Sequence, residues 1–111
     1  MKKLLIICLT TCMLLGCSQN LGGSVFFNHI EQIDGSIQQG DWNSIIIQTT
    51  ELKELYQRNK WKIQLLGDEG EYEGLYGSIN RLIVASHEKD VINARLELAT
   101  VKSFLEDIYS L

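Results

Sequence analysis

Apolar residues recur along most of the chain at spacings of three and four, which places them on one face of an α-helix. The first apolar stripe comprises Phe26, Ile30, Ile33 and Ile37. It predicts a helix from about Val25 to Gln39, although Gly35 lies inside it and weakens it by roughly 1 kcal/mol. Gly40 is a residue type that commonly follows the end of a helix, so the first helix is expected to stop there.

The second pattern begins at Asp41, a residue type that favours the N-cap position. Its stripe comprises Trp42, Ile45, Thr49, Leu52, Tyr56 and, less regularly, Ile63, and is widened by Ile46, Ile47 and Leu55. The β-branched run at 45–47 is also compatible with a short strand, but the flanking period near 3.5 favours a helix. We therefore predict one helix that reaches about Leu66, before Gly67 and Gly70.

Two further helices are predicted in the rest of the chain. The third begins near Asp68 or Glu71 and ends at about His87. Its stripe comprises Tyr72, Leu75/Tyr76, Ile79, Leu82/Ile83 and Ser86. Asp90 is the expected N-cap of the fourth helix, which continues almost to Leu111. The fourth stripe comprises Val91, Ala94, Leu98, Val101, Leu105 and Ile108.

Four amphipathic helices with short connections predict an all-α fold, either an antiparallel four-helix bundle or two stacked helical hairpins. A shift of 49 residues aligns the two halves, for example Phe26 with Leu75 and Asp41 with Asp90. This alignment is compatible with a duplicated hairpin. It is equally compatible with coincidence, because 49 is a multiple of seven and any two heptad-like patterns align at such a shift.

The N-terminus has a different pattern. Lys2 and Lys3 precede an apolar run from Leu4 to Leu15, which is followed by polar residues. A charged start and an apolar stretch of this length are typical of a secretory signal peptide, whereas a membrane-spanning helix needs about 20 apolar residues. We therefore expect the first 16 residues to be removed during export.

The residues Leu14-Leu15-Gly16-Cys17 resemble the lipobox of bacterial lipoproteins. The resemblance implies cleavage between Gly16 and Cys17, a thioether-linked diacylglycerol on the Cys17 sulfur, and acylation of the new amine. The other reading is an ordinary signal peptide followed by a cysteine by chance. Cys8 and Cys12 would leave with the signal peptide, so a lone exported thiol at Cys17 is best explained by lipidation. The expected organisation is a signal peptide (1–16), a lipidated tether (17–24) and a helical domain (25–111).

Composition restricts the classes of partner. The chain has 14 acidic and 10 basic residues, and loss of Lys2 and Lys3 would make it more acidic. An acidic domain is poorly suited to phosphate backbones, so we expect no nucleic-acid binding. The single remaining cysteine leaves no disulfide to form in the exported domain.

Few residue clusters suggest chemistry. The acidic run 68–73 fits a helix start better than a calcium loop, and the distant His29 and His87 lack zinc-ligand spacing. We expect no metal, no cofactor and no catalytic residues. The aromatic residues are expected mainly in the core, although they could instead line a ligand groove; they are Trp42, Tyr56, Trp61, Tyr72 and Tyr76. Trp61, between Lys60 and Lys62, is the candidate for a partner contact or a membrane-interface contact.

Several motifs between Phe26 and Ile108 resemble a family of short secreted or membrane-anchored bacterial proteins found mainly in clostridia and their relatives. They are Gly40-Asp41-Trp42, Trp61, Asp68-x-x-Glu71, Ile79-x-x-Leu82 and Asp90. The family is a domain of unknown function, and the resemblance implies a helical extracytoplasmic domain without supplying an activity. Its members often carry a histidine where this chain has Glu69, a departure that weakens any metal site drawn from the family.

The sequence thus predicts a lipoprotein on the extracytoplasmic face of the cell membrane, and no enzyme. We expect its domain to be a protein-interaction module that docks on another envelope protein. The alternative is a sensor for a small ligand or an ion, using either the aromatic residues or the acidic run at 68–73.

Overall fold

The computed structural model describes residues 23–109, which form five α-helices and no β-strand. The helices are α1 (Gly23–Gln39), α2 (Trp42–Arg58), α3 (Lys60–Leu66), α4 (Glu69–His87) and α5 (Val91–Tyr109). The prediction of an all-α fold is therefore confirmed. The predicted signal peptide (1–16) lies outside the described residues.

The prediction of four helices is wrong, because the second predicted helix is divided at Asn59 into α2 and α3. The backbone of Asn59 has φ −106° and ψ 11°, and its side-chain Nδ2 donates to the carbonyl oxygen of Leu55 at 2.8 Å. An asparagine side chain that binds the preceding turn competes with regular helix geometry. The apolar period from Tyr56 to Ile63 crosses this break, so periodicity alone predicted one helix.

The first helix begins two residues earlier than predicted, at Gly23 instead of Val25. Gly23 and Ser24 therefore belong to α1, and the prediction that they are part of the tether is wrong. Gly23 is buried, and a Cβ there would lie 3.3 Å from Cγ of Tyr109. The packing of α1 against the end of α5 explains why the helix starts inside a segment whose composition predicts a flexible linker.

The four long helices form an antiparallel bundle. Helix α1 packs on α2 and α5, and α4 packs on the same two helices from the other side. The rings of Phe26 and Tyr109 lie 6.1 Å apart, so the start of α1 meets the end of α5. The rings of Tyr56 and Tyr76 lie 5.4 Å apart, so the end of α2 meets the first half of α4. The two hairpins, α1–α2 and α4–α5, thus lie side by side around one core.

The core is formed mainly by residues of the predicted stripes, with Ala85 in addition. Its members are Phe26, Ile30, Ile33, Ile37, Ile45, Leu52, Leu55, Tyr56, Ile63, Leu75, Ile79, Leu82, Ala85, Ala94, Leu98, Val101, Leu105 and Ile108. Three predicted apolar positions, Ile47, Tyr76 and Val91, are instead exposed. A helix in a four-helix bundle buries one stripe; Tyr76 and Val91 fall beside that stripe, and Ile47 lies on the opposite face of α2.

The two ends of the bundle differ. The end where the described chain begins, called the entry end below, holds the start of α1, the ends of α2 and α5, and α3. Helix α3 contacts α2, α4 and α5 and buries Ile63, so it lies across this end. A Cβ at Gly67, the residue after α3, would lie 2.9 Å from Cγ1 of Ile108, so the chain leaves α3 in close contact with α5. The opposite end, the turn end, holds the α1–α2 and α4–α5 turns.

The 49-residue repeat extends to the hydrogen bonds of these turns. Gly40 and Lys89 both have positive φ, 68° and 56°. The amide of Asp41 donates to the carbonyl of Ser36 at 3.1 Å, and the amide of Asp90 donates to that of Ala85 at 2.9 Å. A chance match of two heptad patterns would align the apolar faces, but it would not produce the same turn. The two hairpins therefore share their turn structure as well as their apolar pattern.

Candidate functional site

Helix α5 carries a second apolar stripe on the face opposite its core stripe. This surface, called the α5 stripe below, comprises Ile92, Leu96, Ala99 and Ser103, which are all exposed. Their spacings of four, three and four place them in one line along the helix. Ile92 is 79% exposed and Leu96 is 59% exposed, which is unusual for residues of this size.

The equivalent positions in α2 show that the fold does not require this stripe. The 49-residue shift relates Ile92 to Asn43, Ala99 to Thr50 and Ser103 to Glu54. Only Ile47, the equivalent of Leu96, is a large apolar residue. The same helix of the other hairpin therefore folds with a polar outer face.

Helix α3 presents another exposed apolar surface, called the α3 face below, which comprises Trp61 and Leu65. These residues are four apart and therefore neighbours on the helix, on the side opposite buried Ile63. Trp61 is 63% exposed and Leu65 is 79% exposed. The ammonium of Lys62 lies 5.4 Å from the centroid of the Trp61 ring, within the range of a cation–π interaction. Sequence analysis singled out Trp61, and the structure places it in solvent.

A third surface is a groove of about 450 Å³ between α2, α3 and α4. This tyrosine groove is lined by Tyr56, Gln57, Lys60, Gln64, Tyr72, Glu73 and Tyr76. The Tyr56 hydroxyl donates to the carbonyl oxygen of Tyr72 at 3.3 Å. Burial raises the pKa of Tyr56, and nearby Tyr76 adds to the effect, so this phenol stays neutral. The groove can therefore offer tyrosine ring faces and hydroxyl groups to a small ligand.

The predicted aromatic groove is thus formed by only three of its five candidate residues. Trp42 is partly buried at the turn end, where it packs against the core. Trp61 lies on the outer side of α3. Because Trp42 is at the opposite end of α2 from Tyr56, the two cannot line one site.

A fourth feature is a cavity of about 300 Å³ between α4 and α5 near the turn end. The Nε of Arg81 donates to Oε1 of Glu97 at 2.9 Å, and its Nη2 donates to Oγ of Ser78 at 3.0 Å. The ion pair joins α4 to α5, whereas the bond to Ser78 lies within α4. The Arg81 side chain is 60% exposed, so the ion pair contributes modestly to stability.

The acidic run has a structural role. Oδ1 of Asp68 accepts from the amide of Glu71 at 2.8 Å, and Oε1 of Glu71 accepts from the amide of Asp68 at 2.9 Å. This reciprocal pair is a capping box, which satisfies amides at the start of α4. Within residues 23–109, no three histidine, aspartate or glutamate side chains cluster in a way that could hold a metal ion.

A comparison with protein families matches residues 24–111 to DUF4363, a domain of unknown function. The chain belongs to the DUF4363 family. The matched range contains nearly all of the five helices, so the family unit is the helical bundle. The expected relation to a family of unknown function is therefore confirmed. Comparisons with curated proteins and with solved structures found no match.

The other predicted site residues of this DUF4363 protein, Gly16 and Cys17, lie outside the described residues. Among the helices at 23–109, none is both long and apolar enough to span a bilayer.

The α5 stripe was not predicted from the sequence. The signal was the spacing of Ile92, Leu96 and Ala99, which repeats the helical period of the core stripe on the opposite face.

Proposed function

We propose that this DUF4363 protein is a lipoprotein anchored through Cys17 on the extracytoplasmic face of the cell membrane. Its helical domain would be a protein-interaction module of the cell envelope, without catalytic activity or a cofactor. The anchor is supported by the sequence Leu14-Leu15-Gly16-Cys17 after a charged and apolar N-terminus. Two or more acyl chains on one cysteine would give stable membrane attachment.

The observation that carries the interaction proposal is the α5 stripe. An apolar line on a helix that the fold does not require is the surface that a second amphipathic helix can cover. The stripe lacks charged residues at its four positions, so burying it desolvates no ion. The partner would therefore present a helical apolar face to α5.

The anchor is tested by metabolic labelling with a fatty-acid probe. We expect the wild-type chain to be labelled and to sediment with membranes, and the Cys17→Ala chain to be unlabelled and released. A Cys17→Ala chain that remains both labelled and membrane-bound would rule out the lipoprotein proposal.

The interaction is tested by a photoreactive amino acid placed at Leu96 or at Ile47 in intact cells. These two positions are equivalent in the repeat and both are 59% exposed, so Ile47 is a matched control. We expect a discrete cross-link from position 96 that is absent at position 47. The Cys17→Ala change should remove this cross-link if the partner lies at the membrane surface. Identical products from positions 96 and 47 would show that α5 has no selective partner.

The tyrosine groove supports a second candidate function, a sensor of a small ligand. Its tyrosine rings and its polar rim are the combination that ligand sites commonly show. A ligand that binds only the folded state raises the melting temperature. We would measure melting with calcium, zinc and a panel of small molecules, and with a Tyr76→Ala variant as the control. A shift that Tyr76→Ala abolishes would favour the sensor.

A further inference from the structure

We propose that the α3 face docks on the phospholipid bilayer, so that the entry end of the bundle rests on the membrane and the turn end points away from it. This inference deepens the proposed function and rests on its membrane anchor. It assigns Trp61, the candidate contact from the sequence, to lipid instead of a protein partner.

The first argument is the geometry of α3. Ile63 is completely buried, whereas Trp61 and Leu65 lie on the opposite side of the same short helix. Because α3 lies across the end of the bundle, this opposite side points away from the core. Leu66, at the end of α3, is also exposed. A surface helix normally keeps its outer side polar, and α3 does not.

The second argument is side-chain chemistry. Tryptophan is enriched at membrane–water interfaces because its ring is amphipathic, with an apolar body and one polar N–H. Lys60 and Lys62 flank Trp61, and lysine can lay its apolar stem along lipid while its ammonium reaches the headgroups. Leu65 supplies apolar area beside the ring. The α3 face thus matches the composition of an interfacial helix.

The third argument is the position of the anchor. Cys17 and Gly23 are about six residues apart, a length of chain that reaches at most ~20 Å when fully extended. Gly23 packs against Tyr109 at the entry end, which is also the end that α3 covers. A lipid on Cys17 would hold Gly23 within this distance of the bilayer and so keep the entry end, which α3 covers, near the membrane. Such confinement raises the effective concentration, so even a small apolar face can dock.

Charge decides which feature of the bilayer is recognised. Lys60 and Lys62 attract anionic headgroups, but the exposed carboxylates of Asp68, Glu69 and Glu73 near the entry end offset this attraction. Docking should therefore depend on insertion of Trp61 and Leu65 into the interface, and zwitterionic phosphatidylcholine should be sufficient.

The test uses the full chain, reconstituted in phosphatidylcholine vesicles that contain lipids brominated on the upper acyl chain. Trp42→Phe leaves Trp61 as the only tryptophan, and excitation at the long-wavelength edge selects it over the four tyrosines. If Trp61 lies in the bilayer interface, its less polar environment should shift its emission to the blue. Because bromine quenches only at close range, the emission should also be strongly quenched. Adding Leu65→Gln should return the emission toward the wavelength found without vesicles. Circular dichroism verifies that each variant is folded.

The matched control moves the reporter to the turn end. In a Trp42→Phe, Trp61→Phe chain, Ile92→Trp places a tryptophan at a position as exposed as Leu65, each being 79% exposed. We expect this reporter to remain unquenched. Equal quenching of the two reporters would show that the domain has no fixed orientation. An unquenched Trp61, or a photo-cross-link from position 61 to a protein in cells, would also overturn the proposal.

The same preparation separates this inference from the proposed function. Mass spectrometry of the purified chain shows whether Cys17 carries lipid. If it does not, the lipoprotein proposal fails, and quenching of Trp61 in chains added to preformed vesicles then shows whether the α3 face binds the bilayer without an anchor. Trp61 quenching therefore tests the docking of α3 whether or not mass spectrometry finds lipid on Cys17.

Discussion

At the turn end, Gly40 and Lys89 occupy the same position in the repeat, and both have a positive φ, of 68° and 56°. Glycine enters this left-handed region without steric conflict, whereas a residue with a Cβ does so at a cost of roughly 1 kcal/mol. The flanking hydrogen bonds, from Lys89 N to Ser86 O and from Asp90 N to Ala85 O, hold the second turn in place.

We therefore predict that Lys89→Gly raises the free energy of unfolding by about 0.5–1 kcal/mol, because relief of the left-handed strain exceeds the added entropy of the unfolded chain. The reciprocal change, Gly40→Ala, should lower it by about 1 kcal/mol. Urea denaturation of the two variants measures both values. A loss of stability in Lys89→Gly would mean that the lysine side chain makes a stabilising contribution larger than the strain.

Asp41 and Asp90, whose side chains cap the starts of α2 and α5, should make the stability of the domain depend on pH. A hydrogen bond from the Ser44 side chain and another from its amide lower the pKa of Asp41, and the amide and side chain of Asn93 lower that of Asp90. A carboxyl group with a lowered pKa in the folded state stabilises the protein above the usual value of 3.8. This contribution disappears as the pH falls through the folded-state pKa.

We accordingly expect the melting temperature to fall as the pH is lowered below about 4, and to fall less steeply in the Asp41→Asn, Asp90→Asn chain. Asparagine is also a good N-cap, so the double variant should melt close to the wild type at neutral pH. Melting curves across the acidic range check this. An unchanged slope in the variant would assign acid sensitivity to other carboxyl groups.

At the scale of the elements, the α4–α5 contact includes a close approach at a glycine. A Cβ at Gly74 would overlap the ring of Phe104, so this ring packs directly on the backbone of α4. We predict that Gly74→Ala lowers the free energy of unfolding by about 1–3 kcal/mol through overpacking. Phe104→Leu in the same chain should recover part of this loss, and a double-mutant cycle measures the coupling.

Gly35→Ala is the matched control for Gly74→Ala. Gly35 also lies inside a helix, but a Cβ there would meet nothing within 4 Å. Alanine is a better helix former, so this substitution should instead raise the free energy of unfolding by roughly 0.5–1 kcal/mol. If Gly35→Ala were also destabilising, the loss of stability in Gly74→Ala could not be assigned to its contact with Phe104.

The elements also show which features could be predicted from the sequence. The four core stripes were predictable because helical periodicity records which residues face the core. The break at Asn59 was not, since it depends on one side-chain hydrogen bond and leaves the apolar period intact. Trp61 was identified because two lysines flank it. The tyrosine groove was only partly predictable, because tertiary packing decides which aromatic residues meet.

At the scale of the whole molecule, both hairpins contribute to one continuous core. Leu52 of the first hairpin and Ile79 of the second are completely buried, and α2 packs directly on α4. Neither hairpin has another surface on which to bury its apolar stripe within the described residues. A domain of this size has a total stability of about 5–10 kcal/mol, so losing the contact between the hairpins should unfold both.

We therefore predict that Leu52→Asp alone, or Ile79→Asp alone, abolishes the helical circular dichroism of the entire domain. An unpaired carboxylate in the core costs several kcal/mol, an amount comparable to the total stability. Ile47→Asp, in the same helix as Leu52 but exposed, should leave the spectrum and the melting temperature almost unchanged. If Leu52→Asp retained half of the helical signal, the α4–α5 hairpin would be stable by itself, and the domain would consist of two independent folding units. Complete loss in each buried variant, with a normal spectrum for Ile47→Asp, would establish that the two hairpins fold as one cooperative unit.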